Sequence, residues 1–358
     1  MKITIVGGGN IGTQFAIHCS QENDVTIYTS KKGDFIENIK MIDENNNIFL
    51  EGKNIKATDD SDEAFLNADL IFVTYPAFKM DEISNIIYPY TKEGLKIGLV
   101  PGTGGGECAF KKCVDKGAIV FGLQRVPSVA RLIYRGKIVK ASGYRKELFV
   151  GAIPKKEVND IAKIIANIFN IKCIPLSNYL NVTLTPSNPI LHTTRLRTIF
   201  KDYKNGVTYD QIPLFYEEWN DDSSELLLKC DYEVQKICNS INGIDLSNVK
   251  SLKSHYESNT KEELTNKMRS IVSLKGLKTP SKLVNDKYIP DLDSRYFTAD
   301  FPYGLSILIQ IGDFLNLNIP YMKDTMKWYR KISNNKIEFS YKNYDIDSLD
   351  DLLNFYDK

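Results

Sequence analysis

Two groups of residues in this 358-residue chain have types and spacings that could do chemistry. The first is Gly7, Gly9 and Gly12 in KITIVGGGNIG, which follow an apolar run with the spacing G-x-G-x-x-G. Between a strand and a helix that spacing serves a phosphate. The first glycine permits a tight turn, the second lets backbone approach a pyrophosphate, and the third lets the helix pack close to the strand. The helix N-terminal amides, here around Asn10, Ile11 and Gly12, then meet the negative charge. A plain glycine turn is the alternative, and the strand–turn–helix context argues against it. The next informative position is the end of the second strand, where an acid usually receives a ribose 2′-hydroxyl. The chain reads VTIYTSKK there, with Asp24 ahead of the strand and Asp34 well beyond it. Thr29, Ser30, Lys31 and Lys32 instead offer hydroxyls and cations suited to a 2′-phosphate, so the expected cofactor is NADP(H), with NAD(H) as the alternative. A solvated lysine pair at a turn remains the other reading of the same residues. A second glycine cluster, Pro101 to Gly106, follows another apolar run and is either a further cofactor contact or a surface turn.

The second group centres on a histidine. Of the three, His18 falls inside the first helix and reads as structural, and His255 lies in the polar stretch SLKSHYES and reads as exposed. His192 stands in TPSNPILHTTRLRTIF, where Asn188 can cap a helix and Pro189 can begin it, placing the imidazole in the first turns. A helix N-terminus disfavours an imidazolium, so proton transfer there asks for a nearby carboxylate. The residues alone leave catalysis and structure both open. Arg195 shares the face of His192 one turn on, where a substrate contact is one reading and a surface ion pair the plainer one. Tyr216 and Trp219 are candidates to wall a pocket, or simply core aromatics.

The elements that would position these groups divide the chain in two. Short apolar runs at residues 2–6, 25–28, 69–74 and 97–100 alternate with helical patterns near 11–21, 60–67 and 79–92. This predicts an α/β N-terminal Rossmann domain, doubly wound on a mostly parallel sheet, over residues 1–182. Runs near 133–140 and 147–151, joined at Ser142-Gly143-Tyr144, read as an antiparallel hairpin extending that sheet. From residue 183 helical periodicity takes over, at 189–202, 222–241, 260–273, 302–316 and 321–332, which predicts an all-α C-terminal domain. The 302–316 segment is apolar nearly all round and reads as a buried central helix.

Composition narrows the classes. A formal net charge of +1 makes no electrostatic case for nucleic acid or an anionic membrane surface. No apolar run reaches membrane-spanning length, and the start is too short for a signal-peptide core. The six cysteines form no CxxC pair, so reduced thiols in a cytoplasmic protein, without a metal centre, are expected. Nothing in the sequence sets the oligomeric state; a homodimer is compatible with it.

Four further segments carry a resemblance. Asn188-Pro189-Ile190-Leu191-His192 is similar to the N-P-x-x-H signature of the opine dehydrogenases, the octopine/nopaline dehydrogenase family. Arg295-Tyr296-Phe297-Thr298-Ala299-Asp300-Phe301-Pro302-Tyr303-Gly304-Leu305 resembles that family's R-x-x-x-x-D-x-P-y-G-L segment. Phe215-Tyr216-Glu217-Glu218 resembles its Y-Y-E element, and the run from Val126-Pro127 to Arg131 resembles a stretch of its first domain. The segments occur in the family's order and span most of the chain. The resemblance implies reductive condensation: an amino acid amine attacks a 2-oxo acid, water leaves, and NAD(P)H reduces the imine. It implies His192 as general acid/base, Asp300 as its carboxylate partner and Arg295 as the grip on a substrate carboxylate, with Asn188 and Tyr216 also facing substrate. A guanidinium fork and a His–Asp pair suit that chemistry. The chain departs from the family at Thr193, where proline is frequent, and at Thr298 and Ala299, where an acid commonly precedes Asp300. Competing readings are an NADP-dependent ketone reductase of ketopantoate reductase or glycerol-3-phosphate dehydrogenase type, and a non-catalytic NADP-binding sensor.

Overall fold

The computed structural model describes residues 1–334 and 337–358. The chain forms two compact units, Met1–Thr183 with Leu353–Lys358, and Leu184–Leu352. The sequence division at residue 182 lies beside the first break; the return of the last six residues to the first unit had no signal in the periodicity.

In the first unit the β-branched runs become strands: β1 (Lys2–Val6), β2 (Asp24–Tyr28), β3 (Lys40–Ile42), β4 (Ile48–Glu51), β5 (Lys56–Thr58), β6 (Leu70–Val73), β7 (Lys96–Leu99) and β8 (Ile119–Leu123). These are followed by β9 (Val129–Tyr134), β10 (Ile138–Ser142), β11 (Glu147–Ile153) and β12 (Lys172–Pro175). One eight-stranded sheet runs β12-β11-β8-β7-β6-β1-β2-β5. Its pairs are parallel except β11 with β8. β6 and β8 are buried at every position, as strands covered on both faces must be. Helix Asn10–Cys19 covers one face, seating Phe15 edge-on against Phe72 at 5.1 Å and Phe169 at 4.7 Å. The chain leaves β1 toward β2 and returns to β6 on the other side, so the order reverses at β1, where open sheets take their ligands.

The expected hairpin at 133–140 and 147–151 is corrected. The antiparallel pair is β9 with β10, turning at Gly136 with φ +66°. Both belong to a separate four-stranded sheet, β4-β3-β10-β9, while β11 joins the main sheet. The physical reason is the turn: Gly136 supplies the left-handed residue between the strands, whereas Ser142-Gly143-Tyr144 merely carries the chain from one sheet to the other.

The second unit is built on helices Asn188–Ile199, Asp221–Ser240, Lys261–Ser270, Ser306–Phe314 and Pro320–Ile332, all but the fourth close to their expected ranges. The polar stretch 244–294 also forms a two-stranded hairpin, β13 (Ser281–Val284) with β14 (Lys287–Pro290), that helical periodicity did not show. The segment expected as one helix over 302–316 is a π-helical turn, Phe301–Leu305, feeding helix Ser306–Phe314, whose Ile307, Leu308 and Ile311 are buried. Among the described residues no helix is long and apolar enough to cross a membrane, and no cluster of His, Cys, Asp or Glu is arranged to hold a metal. All six cysteines are free thiols.

Candidate active site

The glycine turn lies at the carboxyl end of β1. Gly7 adopts φ +108° and donates its N–H to the Tyr28 carbonyl at 3.0 Å. A Cβ at Gly12 would stand 1.8 Å from the Gly7 carbonyl oxygen, so this glycine is required for the helix to meet the turn. A Cβ at Gly9 would meet nothing within 4 Å, which leaves its backbone open to a ligand. Helix Asn10–Cys19 has no acid in its first turn and no side-chain cap, so its leading amides are available to an anion. Asn10 has a second job, accepting the Leu132 N–H at 2.9 Å and tying β9 to the helix start. These features fit a dinucleotide pyrophosphate.

At the end of β2 the four residues expected around a 2′-phosphate separate. Thr29 is buried and its hydroxyl accepts the Lys31 N–H at 3.2 Å. Lys32 pairs with Asp59 at 2.7 Å, an acid just after β5 that the sequence reading did not consider. Ser30 and Lys31 are exposed. In the second glycine cluster, Gly102 is packed rather than free: its carbonyl accepts the Tyr179 hydroxyl at 2.9 Å, and a Cβ would stand 2.6 Å from Gly122.

The second unit assembles the histidine site. Helix Asn188–Ile199 starts one residue earlier than expected, with Ser187 in the cap position and exposed Asn188 as its first residue. Pro189 packs against Gly304, where a Cβ would come within 3.0 Å, so the Phe301–Leu305 turn lies directly on the helix start. That places Asp300 beside His192: Oδ2 is 2.8 Å from Nδ1, with the two side chains only 19% and 10% exposed. The carboxylate that a histidine near a helix N-terminus asks for is therefore present. Asp300 flanks the π-helical turn but its side chain makes no cap hydrogen bond there, so the carboxylate is turned to the imidazole alone. His192 turns its other nitrogen, Nε2, to the Tyr216 hydroxyl at 3.0 Å. Tyr296 lies on the imidazole with ring centroids 4.3 Å apart, and Phe215 meets it edge-on at 5.5 Å.

Arg195 explains why Tyr216 is where it is. The expected surface ion pair is corrected, because Arg195 is 1% exposed. Its guanidinium donates to the carbonyls of Leu214, Phe215 and Glu218 and to Asn220 and Ser223, using every N–H it has. It also lies over the Trp219 ring at 5.2 Å. Burial lowers its pKa to about 10, with Glu218 opposing the fall and Arg269 adding to it. The arginine thus holds the loop that presents Tyr216. Thr193 is fully buried and donates its hydroxyl to the Pro189 carbonyl at 2.7 Å.

Arg295 opens the short Arg295–Thr298 helix and is exposed; the residue of that helix at the imidazole is Tyr296. Sequence reasoning missed Tyr296 and the clamping role of Arg195. The available signals were the aromatic next to Arg295 and the spacing of one turn from His192. His18 is structural, as expected: its Nε2 meets the Tyr144 hydroxyl at 2.9 Å, and burial lowers its pKa to about 4. His255 is half-buried beside Tyr256 rather than exposed.

Comparison with known proteins agrees with this layout. Residues 175–333 match the family described as NAD/NADP octopine/nopaline dehydrogenase, alpha-helical domain, and residues 2–100 match the NAD-dependent glycerol-3-phosphate dehydrogenase N-terminus. The chain is 23% identical to tauropine dehydrogenase of Arabella iricolor, covering 92% of this chain and 91% of that one. It is 24% identical to octopine dehydrogenase of Pecten maximus over 76% and 71% of the two chains. A solved octopine dehydrogenase structure with NADH and L-arginine superposes with a TM-score of 0.85 at 20% identity, covering 99% of this chain and 98% of that one, and so shares its fold.

Proposed function

We propose that this chain, whose residues 175–333 match the octopine/nopaline dehydrogenase helical domain, is an opine-type dehydrogenase, an NAD(P)H-dependent oxidoreductase that joins an amino acid to a 2-oxo acid. The amine and the oxo acid condense to an imine, which is reduced to an N-(carboxyalkyl)amino acid. The observation that carries this reading is the 2.8 Å contact between His192 Nδ1 and Asp300 Oδ2 in a nearly closed aromatic setting.

The dyad divides its work by geometry. Nδ1–H donates to Asp300, which fixes the tautomer and leaves Nε2 as the nitrogen that exchanges a proton. When the imidazole is charged, the adjacent carboxylate stabilises it, with little solvent to screen the pair. Arg295, exposed at the start of its helix, offers a planar fork for a substrate carboxylate, and Asn188 and Tyr216 supply further polar contacts to substrate. Gly7, Gly9, Asn10, Ile11 and Gly12 hold the pyrophosphate of the dinucleotide, which supplies the hydride when bound. Within NAD(P)H, NADP(H) is the preferred form in this reading; Ser30 and Lys31 support it as exposed polar groups at the end of β2, while Lys32 is committed to Asp59.

The test is an oxidation screen with NADPH and NADH, offering 2-oxo acids singly and then with a panel of amino acids. Turnover that requires both substrates is the expected result. Oxidation with the oxo acid alone identifies a ketone reductase instead, and binding without any turnover identifies a sensor.

A further inference from the structure

We propose that Tyr216 is the group that hands the proton to substrate, with His192 and Asp300 standing behind it as the proton supply. This rests on the opine-dehydrogenase reading above and adds a catalytic residue to it.

The imidazole has two nitrogens, and both are occupied. Nδ1 is taken by Asp300 at 2.8 Å and Nε2 by the Tyr216 hydroxyl at 3.0 Å. With Nδ1 carrying its hydrogen toward the carboxylate, neutral Nε2 has one lone pair in the ring plane. The phenol occupies that direction, so a substrate atom reaches Nε2 only if Tyr216 leaves. Three observations hold it in place. Tyr216 is 6% exposed, stacked on Trp219 at an interplanar angle of 14° and met edge-on by Phe215 at 4.9 Å. Trp219 is fully buried and donates its indole N–H to Ser224 at 3.0 Å. Behind it the Arg195 guanidinium is bonded to the loop carbonyls on either side of Tyr216. Displacing the phenol would disturb this whole stack, whereas passing a proton through it disturbs nothing, because a hydroxyl both donates and accepts.

The step balances without any further reactant. The Tyr216 O–H bond breaks as its hydrogen bonds to the lone pair of the imine nitrogen, and a new O–H bond forms from the hydrogen leaving protonated Nε2. Tyrosine ends as it began, imidazolium becomes neutral imidazole, and the substrate gains one proton. The protonated imine carbon then accepts the hydride, giving the secondary amine. His192 recovers its proton from solvent in the next cycle.

The experiment replaces Tyr216 in the full chain in two ways: Tyr216→Phe, which removes the hydroxyl, and 3,5-difluorotyrosine at position 216, which keeps the shape and lowers the phenol pKa. The proposal expects Tyr216→Phe to lose about a hundredfold in kcat, a far larger effect than any rise in KM from the lost polar contact, with cofactor fluorescence quenching retained. It expects the difluorotyrosine protein to shift the alkaline limb of its kcat profile to lower pH, which a purely structural role would not do. A Tyr216→Phe protein with wild-type or higher kcat, or a difluorotyrosine protein with an unmoved profile, overturns it. If Tyr216→Phe does not fold, the difluorotyrosine profile decides. Should the wild-type protein turn over the oxo acid without an amine, the opine reading fails, and the same two proteins still report whether Tyr216 protonates the carbonyl oxygen.

Discussion

In the Gly7–Gly12 turn the backbone does the work, and neighbouring residues supply it. At His192 side chains do the work, and they arrive from Tyr216 and Asp300, 24 and 108 positions away in sequence. The first arrangement needs what a Cβ would spoil: a left-handed Gly7, open space at Gly9 and contact between Gly12 and the Gly7 carbonyl. The second needs a helix start, a π-helical turn seated on it through Pro189 and Gly304, and a loop held by a buried arginine. A backbone site therefore tolerates change in its side chains but not in its glycines, while a side-chain site depends on residues that never meet substrate.

The sharpest way to break this contrast is Gly12→Ala. Its Cβ would meet the Gly7 carbonyl at 1.8 Å and the Thr74 hydroxyl at 2.8 Å, and neither strand nor helix can yield cheaply. Loss of NAD(P)H binding and a destabilisation of about 3 kcal/mol or more are expected, read by fluorescence titration and denaturant unfolding. A stable Gly12→Ala protein that binds cofactor normally would dismiss the backbone account of the turn.

Asp300→Asn should be nearly as damaging to turnover but harmless to binding. The amide keeps the shape of the carboxylate and loses the charge that orients and stabilises protonated His192, so kcat falls by about 10²- to 10⁴-fold. Steady-state kinetics beside a cofactor titration separates the two effects, and parallel losses in both would contradict the division of labour.

A smaller effect is expected at Arg295. Removing its fork in Arg295→Gln leaves the dyad intact and costs about 1.5–3 kcal/mol of carboxylate recognition, seen as a rise in the KM of a carboxylate substrate of about tenfold or more. An unchanged KM would remove this exposed residue from the substrate site. Smallest of all is Lys31→Ser, which should reduce the preference for NADPH over NADH by a few-fold, because Lys31 is an exposed charge and such groups contribute little each. An unaltered ratio of kcat/KM for the two cofactors would put their discrimination elsewhere.

The same contrast explains what could be read from the chain alone. The glycine turn, β1 and the helix after it were legible because each is specified by adjacent residues. The longer helices of the second unit were legible from their periodicity, whereas the short Leu252–Tyr256 and Arg295–Thr298 helices were not, being barely a turn long. The β9–β10 hairpin was misplaced because two loops contain a glycine and only Gly136 closes the pair. Hairpin β13–β14 was missed because it is short, with Leu283 and Val284 exposed on one strand, so it leaves no strong alternating signature. At the site, His192 and Asp300 were singled out, yet their contact depends on Gly304 accepting Pro189, a fact of packing. Arg195 was misread because a charged residue at helical spacing gives no sign that five acceptors converge on it. Tyr296 went unnoticed because its value is a ring placed on an imidazole, which only the folded chain defines.

His192→Asn tests the central claim most directly, with cofactor binding and turnover measured on the same preparation. If the first unit holds the dinucleotide and the His192–Asp300 dyad supplies the proton, NAD(P)H affinity stays at its wild-type value while amine-dependent turnover falls by about a thousandfold or more. Turnover close to wild type would show that the imidazole is not the acid/base and would contradict the account.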